Sequence, residues 1–254
     1  TSTDSLFNLI SFIRPDEIYN LGAQSHVGVS FENPVYTSEV TGLGSLRILE
    51  VIRSLNLKKK IKFYQATSSE LFGEVKGKKI FNERSELNPK SPYGAAKLFA
   101  HHITKIYRES YNIHASNGIL FNHESPLRGE TFVTKKIVNS VARNFVGIKN
   151  VLILGNLNAE RDWGHARDYV KSMWQILQKK NPDDYVICSE KSYSVRQFVE
   201  AAYKNIGIKI VWKGKGLKEV GLDKKNNNVL IRISPKYFRP NEVNNLRGSS
   251  AKAR

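Results

Sequence analysis

The chain has 254 residues, of which 40% are hydrophobic, so it is long enough to form one large domain or two modest ones. No apolar run approaches the roughly 18 residues that suggest a membrane span, and the first ten residues lack the basic stretch and apolar core of a secretory signal. The formal charge of +17 is dispersed and no basic stripe carries interleaved aromatic residues, so we expect neither a nucleic-acid nor a membrane partner.

The number and spacing of the cysteine and histidine residues argue against disulfide bonds and metal sites. Cys188 is the only cysteine, which rules out an internal disulfide and indicates the reducing cytosol. No zinc-ligand spacing links the six histidines, so we expect no metal site. These histidines are His26, His101, His102, His114, His123 and His165.

The first half of the chain alternates between helix and strand patterns. In chain order the predicted elements are a helix at 3–13, a strand at 16–23, a helix at 36–55, a strand at 61–67, a helix at 91–111 and a strand at 114–122. Thr3 or Asp4 is the expected cap of the first helix, and Ser91 with Pro92 begins the last one.

The predicted helix 36–55 has an apolar face made of Leu46, Leu49, Ile52 and Leu55. Later elements are shorter and less regular: helices near 132–146, 166–180 and 194–206, and strands at 151–154, 185–188 and 208–212. The alternation predicts an α/β fold with a parallel sheet and crossover helices.

A glycine-rich phosphate loop is missing from the sequence. Such a loop normally follows the first strand of a dinucleotide-binding sheet, but neither GxGxxG nor GxxGxxG occurs. The glycines at 42–45 and 213–217 are interpreted as helix-start and loop glycines. Because the chain begins within a helix, we expect a partial sequence whose first strands are absent.

The stretch FYQATSSELFGEV, residues 63–75, follows an apolar strand with Ser68, Ser69 and Glu70. A polar turn after a strand is common, so these side chains have two interpretations, an ordinary turn or the catalytic end of a strand. In an extended segment, Ser68 and Glu70 would point to the same side.

Tyr93 and Lys97 are four residues apart on the predicted helix 91–111 and so share one face. A lysine ammonium stabilises a nearby phenolate, which makes Tyr93 a candidate general base or acid. A surface pair without function has the same spacing. The order hydroxyl, tyrosine, lysine in a βα repeat favours alcohol oxidation with a nicotinamide cofactor.

Six segments carry a resemblance that extends from residue 16 to about residue 247. They read EIYNLGAQSHVGVSFENPVYTSEVTGLGSLRILE, KFYQATSSELFGEV, SPYGAAKLFA, NGILFNHESPLRGETFVTKKI, GNLNAERDWGHARDYV and YFRPNEV. On these segments the chain resembles the extended short-chain dehydrogenase/reductase family, in its epimerase and dehydratase group. LFNHESP and RDWGHA are typical of the dehydratases in that group whose substrate is GDP-mannose.

The resemblance implies a three-stage reaction that converts GDP-mannose into GDP-4-keto-6-deoxymannose. Tyr93, aided by Lys97, takes the C4 hydroxyl proton while hydride passes to NADP. Glu70 then removes the C5 proton, and water leaves C6 with proton help from Ser68. Hydride returns to C6, so the cofactor is regenerated in each cycle.

The resemblance also implies binding residues and a division of the chain. Cofactor contacts match Leu21, Gly22, Ala23, Gln24, Ser25, Tyr36, Lys97, His123 and Arg128. Sugar-nucleotide contacts match Asn122, Val133, Lys136, Arg161, Arg239 and Glu242. Residues 1–125 correspond to an incomplete Rossmann-type NADP-binding domain with the catalytic residues. Residues 126–254 correspond mainly to a smaller α/β substrate-binding domain, with possible return segments to the Rossmann sheet.

Each binding residue also has an ordinary structural interpretation. Asn122 could cap a turn, Arg161 could pair with Asp162 or Asp168, and His123 could be a partly buried histidine with its hydrogen bonds satisfied.

Two substitutions depart from the family pattern. Ser68 replaces the usual threonine but keeps the hydroxyl. Leu127 replaces an arginine in a loop that, in the family, reaches a neighbouring subunit's cofactor. The resemblance implies a homo-oligomer, a dimer or tetramer, and Leu127 leaves this contact in question.

Three functional alternatives remain open from the sequence. The chain is the main part of a working dehydratase, an inactive remnant that binds sugar nucleotides, or another sugar-nucleotide epimerase or dehydratase. Glu70 argues against an epimerase. For the 254 residues expressed alone we expect poor solubility, weak NADP binding and no turnover.

Overall fold

The computed structural model describes residues 2–57, 60–74, 80–238, 241 and 243–254. The α-helices in this part of the chain are α1 (Thr3–Ile13), α2 (Val27–Glu32), α3 (Pro34–Thr37), α4 (Gly44–Ser54), α5 (Pro92–Tyr111), α6 (Val133–Phe145), α7 (Ala166–Gln178) and α8 (Val195–Lys204). The strands are β1 (Glu17–Asn20), β2 (Lys62–Ser68), β3 (His114–Leu120), β4 (Asn122–Glu124), β5 (Leu152–Leu154), β6 (Glu160–His165), β7 (Asp184–Ile187), β8 (Ser192–Ser194), β9 (Ile210–Lys213), β10 (Val220–Asp223), β11 (Val229–Ile233) and β12 (Asn245–Leu246).

The strong helix predictions are confirmed, with small corrections at their ends. α1 has the predicted bounds, but its N-cap is Ser2, whose side chain accepts the N–H of Ser5, and not Thr3 or Asp4. Ser91 caps α5 as predicted, accepting the N–H of Gly94 at 3.0 Å. The predicted strand 114–122 is two strands, because β3 ends at Leu120 and β4 begins at Asn122.

Two compact units make up the chain. The first contains residues 1–123, 162–191 and 246–254, and the second contains residues 124–161 and 192–245. The assignment of cofactor binding to one part of the chain and of substrate binding to the other stays a prediction.

The first unit contains a four-stranded sheet in the order β1-β2-β3-β7, with every neighbouring pair parallel. Asn20 pairs with Gln65 at the end of β1, and Ser68 pairs with Leu120 at the end of β2. Parallel neighbours require crossover connections, which the helices of the chain supply. The predicted α/β fold with a parallel sheet is therefore confirmed.

Both faces of this sheet are covered, because the side chains of β2 alternate between two apolar clusters. Phe63 packs with Leu49 and Ile52 of α4 in one cluster. Tyr64 packs with Met173 and other residues of α7 in the other cluster. Strands buried on both faces carry apolar side chains in both directions, which explains the buried apolar residues Ile61, Phe63, Tyr64 and Ala66 in this segment.

The second unit has its own mixed four-stranded sheet in the order β5-β11-β10-β9. β9, β10 and β11 are antiparallel neighbours, whereas β5 is parallel to β11. A third sheet has the order β12-β6-β4, and β8 pairs with β6.

The predicted helix 36–55 corresponds to a continuous helical stretch that begins two residues earlier, at Pro34, and ends at Ser54. It contains a π-helical segment, Ser38–Leu43, between α3 and α4. Thr41 and Gly42 of this segment are buried. A Cβ at position 42 would lie 3.4 Å from Phe99 and 3.5 Å from the Ala96 carbonyl oxygen of α5. The glycines predicted to start a helix therefore lie inside one, where Gly42 permits close packing.

A partly buried ion pair joins the end of α5 to the start of β7. Arg108 donates to both carboxylate oxygens of Asp184, at 2.8 and 3.1 Å, and Asn117 donates to the same carboxylate at 2.8 Å. Burial is the largest single influence and raises the pKa of Asp184, but the hydrogen bonds from Arg108 and Asn117 together with the charges of His101 and Arg108 hold the pKa below its usual value. His101 lies beside this pair, its Nε2 3.9 Å from Asp184 Oδ2.

We expect acid to destabilise the protein through His101. Burial lowers the pKa of His101 to about 4, and the charges of His102, Arg108 and Lys105 act in the same direction while Asp184 opposes them. The unfolded chain therefore binds more protons between about pH 6.5 and pH 4, and stability falls as pH falls through this range. Urea unfolding should show a loss of about 2 kcal/mol between pH 7 and pH 5.

The matched variant is His101→Leu, which should lose most of this dependence on pH. An equal acid-induced loss in both proteins would contradict the assignment to His101.

No helix in the described part of the chain is both long enough and apolar enough to cross a membrane.

Candidate active site

The polar turn at the end of β2 begins at Ser68. Its hydroxyl oxygen accepts the backbone N–H of Glu70 at 3.2 Å and caps a 3₁₀ turn, Ser69–Leu71. The expectation that Ser68 and Glu70 lie on one extended segment is therefore wrong, because this hydrogen bond turns the chain directly after Ser68. Ser68 and Glu70 are 9% and 8% exposed, so a carboxyl group and a hydroxyl are both held in a largely buried turn.

The start of α5 packs against this turn because position 94 has no side chain. A Cβ on Gly94 would lie 3.0 Å from the Glu70 carbonyl oxygen and 3.0 Å from Pro89. Tyr93 precedes this contact and is also largely buried, at 8% exposure. The structure thus brings the predicted tyrosine to the predicted carboxylate segment.

Lys97 lies one turn further along α5 and is 3% exposed. Its Nζ donates to the Ala66 carbonyl oxygen at 2.7 Å and lies 5.9 Å from the centre of the Tyr93 ring. Burial lowers the pKa of Lys97 to about 8, so the group stays mostly protonated at pH 7. An ammonium in this position can stabilise negative charge on a neighbouring phenol.

Residues 21–25 form a loop directly after β1. Gly22 N–H donates to Asn20 Oδ1 at 3.3 Å, and Gln24 N–H donates to Thr41 Oγ1 at 3.1 Å. Since β1 and β2 are parallel, the loop and the Ser68 turn follow strand ends at the same edge of the sheet. Ligands of open parallel sheets bind outside this edge.

The other predicted residues of the first unit have varied surroundings. Tyr36 on α3 is 60% exposed. The Phe121 carbonyl oxygen accepts a hydrogen bond from His123 Nδ1, on β4, at 2.9 Å. The His123 ring also stacks on the Tyr169 ring, with centroids 4.8 Å apart. Asn122 begins β4.

Arg128 and Lys136, both predicted binding residues of the second unit, contact aromatic rings. Arg128 lies 3.6 Å from the centre of the Phe132 ring, and its Nε is 3.2 Å from a Glu124 carboxylate oxygen. Lys136 Nζ lies 3.6 Å from the centre of the Tyr237 ring. These contacts orient both cationic side chains.

Of the remaining predicted substrate-binding residues, two are described by the structure and two are not. Val133 is the first residue of α6. Arg161 is buried and donates to the Glu160 carbonyl oxygen at 2.8 Å. Arg239 and Glu242 lie outside the described residues.

Sequence reasoning missed the buried polar side chains of Asn20, Ser45 and Gln65. Asn20 Nδ2 donates to both Ser45 Oγ and Gln65 Oε1, at 3.1 and 2.8 Å. The available signal was Gln65 itself, a polar residue within an apolar strand, since buried polar groups need hydrogen-bond partners.

No metal-binding group of three or more His, Cys, Asp or Glu side chains is found among the residues that the structure describes.

The parallel sheet and its polar strand ends define a Rossmann-type protein, and solved structures agree. The chain matches the RMD protein of Pseudomonas aeruginosa in complex with NADPH at a TM-score of 0.80 and 21% identity, covering 99% of this chain and 77% of that one. UDP-glucose 4-epimerase of Thermotoga maritima with UDP-glucose matches at 0.81 and 21% identity, covering 99% and 74%. At these identities the likeness concerns the fold.

The chain belongs to the GDP-mannose 4,6 dehydratase family, whose family model matches residues 1–254. It is 52% identical to the GDP-mannose 4,6 dehydratase of Drosophila melanogaster over 253 residues, covering 100% of this chain and 64% of the relative. The Homo sapiens enzyme is 49% identical over 253 residues, with 100% and 68% covered. The chain thus spans about two thirds of the length of these relatives, and the predicted family resemblance is confirmed.

Proposed function

We propose that the protein containing this chain is a GDP-mannose 4,6-dehydratase, a lyase that converts GDP-mannose into GDP-4-keto-6-deoxymannose and water. The observation that carries the proposal is the buried Tyr93–Lys97 pair packed beside the turn that bears Ser68 and Glu70. The relatives at about 50% identity over the whole chain support the choice of substrate.

The first proton transfer is assigned to Tyr93. The phenolate oxygen accepts the proton of the sugar C4 hydroxyl, and the Lys97 ammonium stabilises the phenolate before this transfer. The low exposure of both side chains excludes water, which strengthens this electrostatic effect. Lys97 keeps its position because its Nζ is held by the Ala66 carbonyl oxygen.

The elimination of water is assigned to Glu70 and Ser68. Once C4 is a ketone, the hydrogen on C5 is acidic, and the Glu70 carboxylate accepts it. The C6 hydroxyl leaves as water when Ser68 passes it a proton. Glu70 returns its proton to C5 when hydride reaches C6, and the proton that Tyr93 took from the C4 hydroxyl restores the Ser68 hydroxyl, so all three groups end as they began. Glu70 separates this reaction from epimerisation, which needs no base for the C5 proton.

The residues present fit a nicotinamide dinucleotide. The loop 21–25 and the Tyr93–Lys97 pair follow the carboxyl ends of parallel strands, where such a cofactor binds, and hydroxyl and ammonium donors suit ribose hydroxyls. We propose residues 21–25, Tyr36, Lys97, His123 and Arg128 as the NADP-binding residues. NADP bound to these residues would supply a hydride acceptor for C4 and a hydride donor for C6.

Substrate binding is assigned to cationic and polar side chains that match the sugar-nucleotide contacts of the family. Cationic groups suit the diphosphate, and a carboxylate accepts the two donors of a guanine edge. These residues are Asn122, Val133, Lys136, Arg161, Arg239 and Glu242.

Assembly and location complete the proposal. We assign the protein to a homo-oligomer, and the half-exposed apolar side chains of Phe99 and Ile106 on α5 support self-association. We place the reaction in the cytosol, since Cys188 is the only cysteine.

Product formation tests the function directly. The natural full-length protein, incubated with NADP and GDP-mannose, should yield a sugar nucleotide that has lost one water and carries a C4 ketone, as read by mass spectrometry and NMR. Tyr93→Phe, which keeps the ring and removes the proton acceptor, should lower kcat by at least about 10²-fold. Epimerised GDP-hexose without loss of water would assign the protein to the epimerases instead.

A further inference from the structure

A chain of buried hydrogen bonds runs from the loop after β1 to Lys97 inside the first unit. Its side chains come from different elements: Asn20 from β1, Ser45 from α4, Gln65 from β2 and Lys97 from α5. All four are at most 9% exposed, and Ser45 and Gln65 are fully buried. Buried polar networks that are fully satisfied fix side chains in one arrangement.

The partners in this hydrogen-bond network fix the orientation of both side-chain amides. Asn20 Oδ1 accepts the Gly22 N–H, so the Asn20 Nδ2 group is the one that faces Ser45 and Gln65. Gln65 must then present Oε1 to Asn20, which turns its Nε2 group toward the Ala66 carbonyl oxygen at 2.9 Å. The orientation of each amide is thus set by its neighbour.

Lys97 and Gln65 donate to the same oxygen. Lys97 Nζ is 2.7 Å and Gln65 Nε2 is 2.9 Å from the Ala66 carbonyl oxygen. Ala66 follows the last residue pair of β1 and β2, Asn20 with Gln65, so this carbonyl lies where the pairing of β1 has ended. Lys97 and Gln65 therefore both donate to a carbonyl oxygen that lies beyond the residues of β2 paired with β1.

We propose that Gln65 is a positioning residue for Lys97. By holding the Ala66 carbonyl it fixes the hydrogen-bond acceptor of the Lys97 ammonium, and through Asn20 it links that ammonium to Gly22 in the loop after β1. The catalytic meaning of this link rests on the proposed function, whereas its effect on Lys97 does not.

Burial makes this support necessary. A lysine side chain has many rotamers, and holding it in one of them costs conformational entropy. Without Gln65 the Ala66 carbonyl loses one of its two side-chain donors and can tilt, and the ammonium moves with it. A lysine that has moved from the Tyr93 ring stabilises the phenolate less.

The test compares Gln65→Met with Thr67→Val. Methionine has nearly the volume of glutamine but cannot donate to Ala66. Thr67→Val also removes one buried hydrogen bond of β2, from Thr67 Oγ1 to the Gly118 carbonyl oxygen at 2.9 Å, without touching Lys97, and so controls for lost stability.

In the full-length enzyme, Gln65→Met should lower kcat about tenfold at neutral pH and leave KM for GDP-mannose within about twofold. The pH of half-maximal rate should rise by about one unit, because the phenolate is less stabilised. Thr67→Val should keep the parent midpoint. A midpoint that is unchanged in Gln65→Met overturns the catalytic part of the proposal.

A second measurement needs no activity. An amine-acetylating reagent, followed by peptide mass spectrometry, should label Lys97 about tenfold faster in Gln65→Met than in the parent or in Thr67→Val. Equal labelling rates overturn the positioning role even where product forms. Faster labelling in a protein whose parent forms no product would reject the dehydratase function and keep the positioning role.

Asn20→Ala perturbs the same hydrogen-bond network from its other end. It frees the Gln65 amide to rotate, so labelling of Lys97 should change in the same direction as in Gln65→Met. This variant decides the question if Gln65→Met does not fold, and parent-like labelling in a folded Asn20→Ala protein would overturn the proposal.

Discussion

Replacing Glu70 by glutamine is expected to slow the dehydration of GDP-mannose at least about 10³-fold while the enzyme still oxidises C4. Glutamine has the size of glutamate and suits the largely buried turn after β2, but its amide cannot accept the C5 proton. The reaction should stop at the ketone, so reduced cofactor should accumulate to about one equivalent per site. Cofactor absorbance and NMR of the sugar would follow the two events separately.

The control for this substitution is Glu86→Gln, which makes the same chemical change at an exposed position beyond the turn. It should turn over at the parent rate. Loss of the C6 hydroxyl at the parent rate in Glu70→Gln would remove Glu70 from the mechanism, and loss of C4 oxidation as well would indicate a structural role instead.

Alanine at position 118 should cause a large loss of stability. Gly118 lies in β3, where it pairs with Ala66 on one side and Tyr185 on the other. A Cβ there would overlap the hydroxyl of Tyr64, a fully buried side chain of β2. Neither strand can yield without breaking the ladder, so Gly118→Ala should cost about 3 kcal/mol or more in urea unfolding.

Two variants show whether this overlap is the cause. Gly44→Ala adds the same methyl group on a helix where the nearest contact is the Glu39 carbonyl oxygen at 3.8 Å, so it should be neutral or stabilise by up to about 1 kcal/mol. Tyr64→Phe removes the hydroxyl and should recover part of the loss when combined with Gly118→Ala. If the two glycine substitutions have equal effects, the packing argument is wrong.

The parts of the fold that the sequence predicts are those with strong periodicity. α1 and α5 have clear caps and apolar faces, and β2 and β3 carry short apolar groups at Phe63–Tyr64 and Ile119–Leu120, so their positions are predicted within a few residues. β6 was missed because ERDWGH is mostly polar and gives no strand pattern. The β10–β11 pair was missed because a lysine- and asparagine-rich segment separates two short runs.

The sequence predicts which residue types form the candidate site, but not the hydrogen bonds that hold them in place. The spacing of Tyr93 and Lys97 follows from helix geometry, and Ser91 with Pro92 fixes where that helix begins. The acceptor of Lys97 could not be predicted, since the Ala66 carbonyl carries no side-chain signature and lies 31 residues away in the chain. Contacts of this kind depend on the register of strands and the depth of burial.

The π-helical segment Ser38–Leu43 has a consequence for chain length. A π turn is equivalent to one residue inserted into an α-helix. Deleting one residue there would restore a regular helix and leave Leu49 and Ile52 on nearly the same face relative to the turns before the segment, because the wider π turn takes up the extra residue. Only residues inside the segment would change face, among them Thr41, whose Oγ1 accepts the Gln24 N–H. Relatives that lack one residue in this helix would consequently need a different anchor for the loop at 21–25, and an alignment gap here would mark a change in helix geometry.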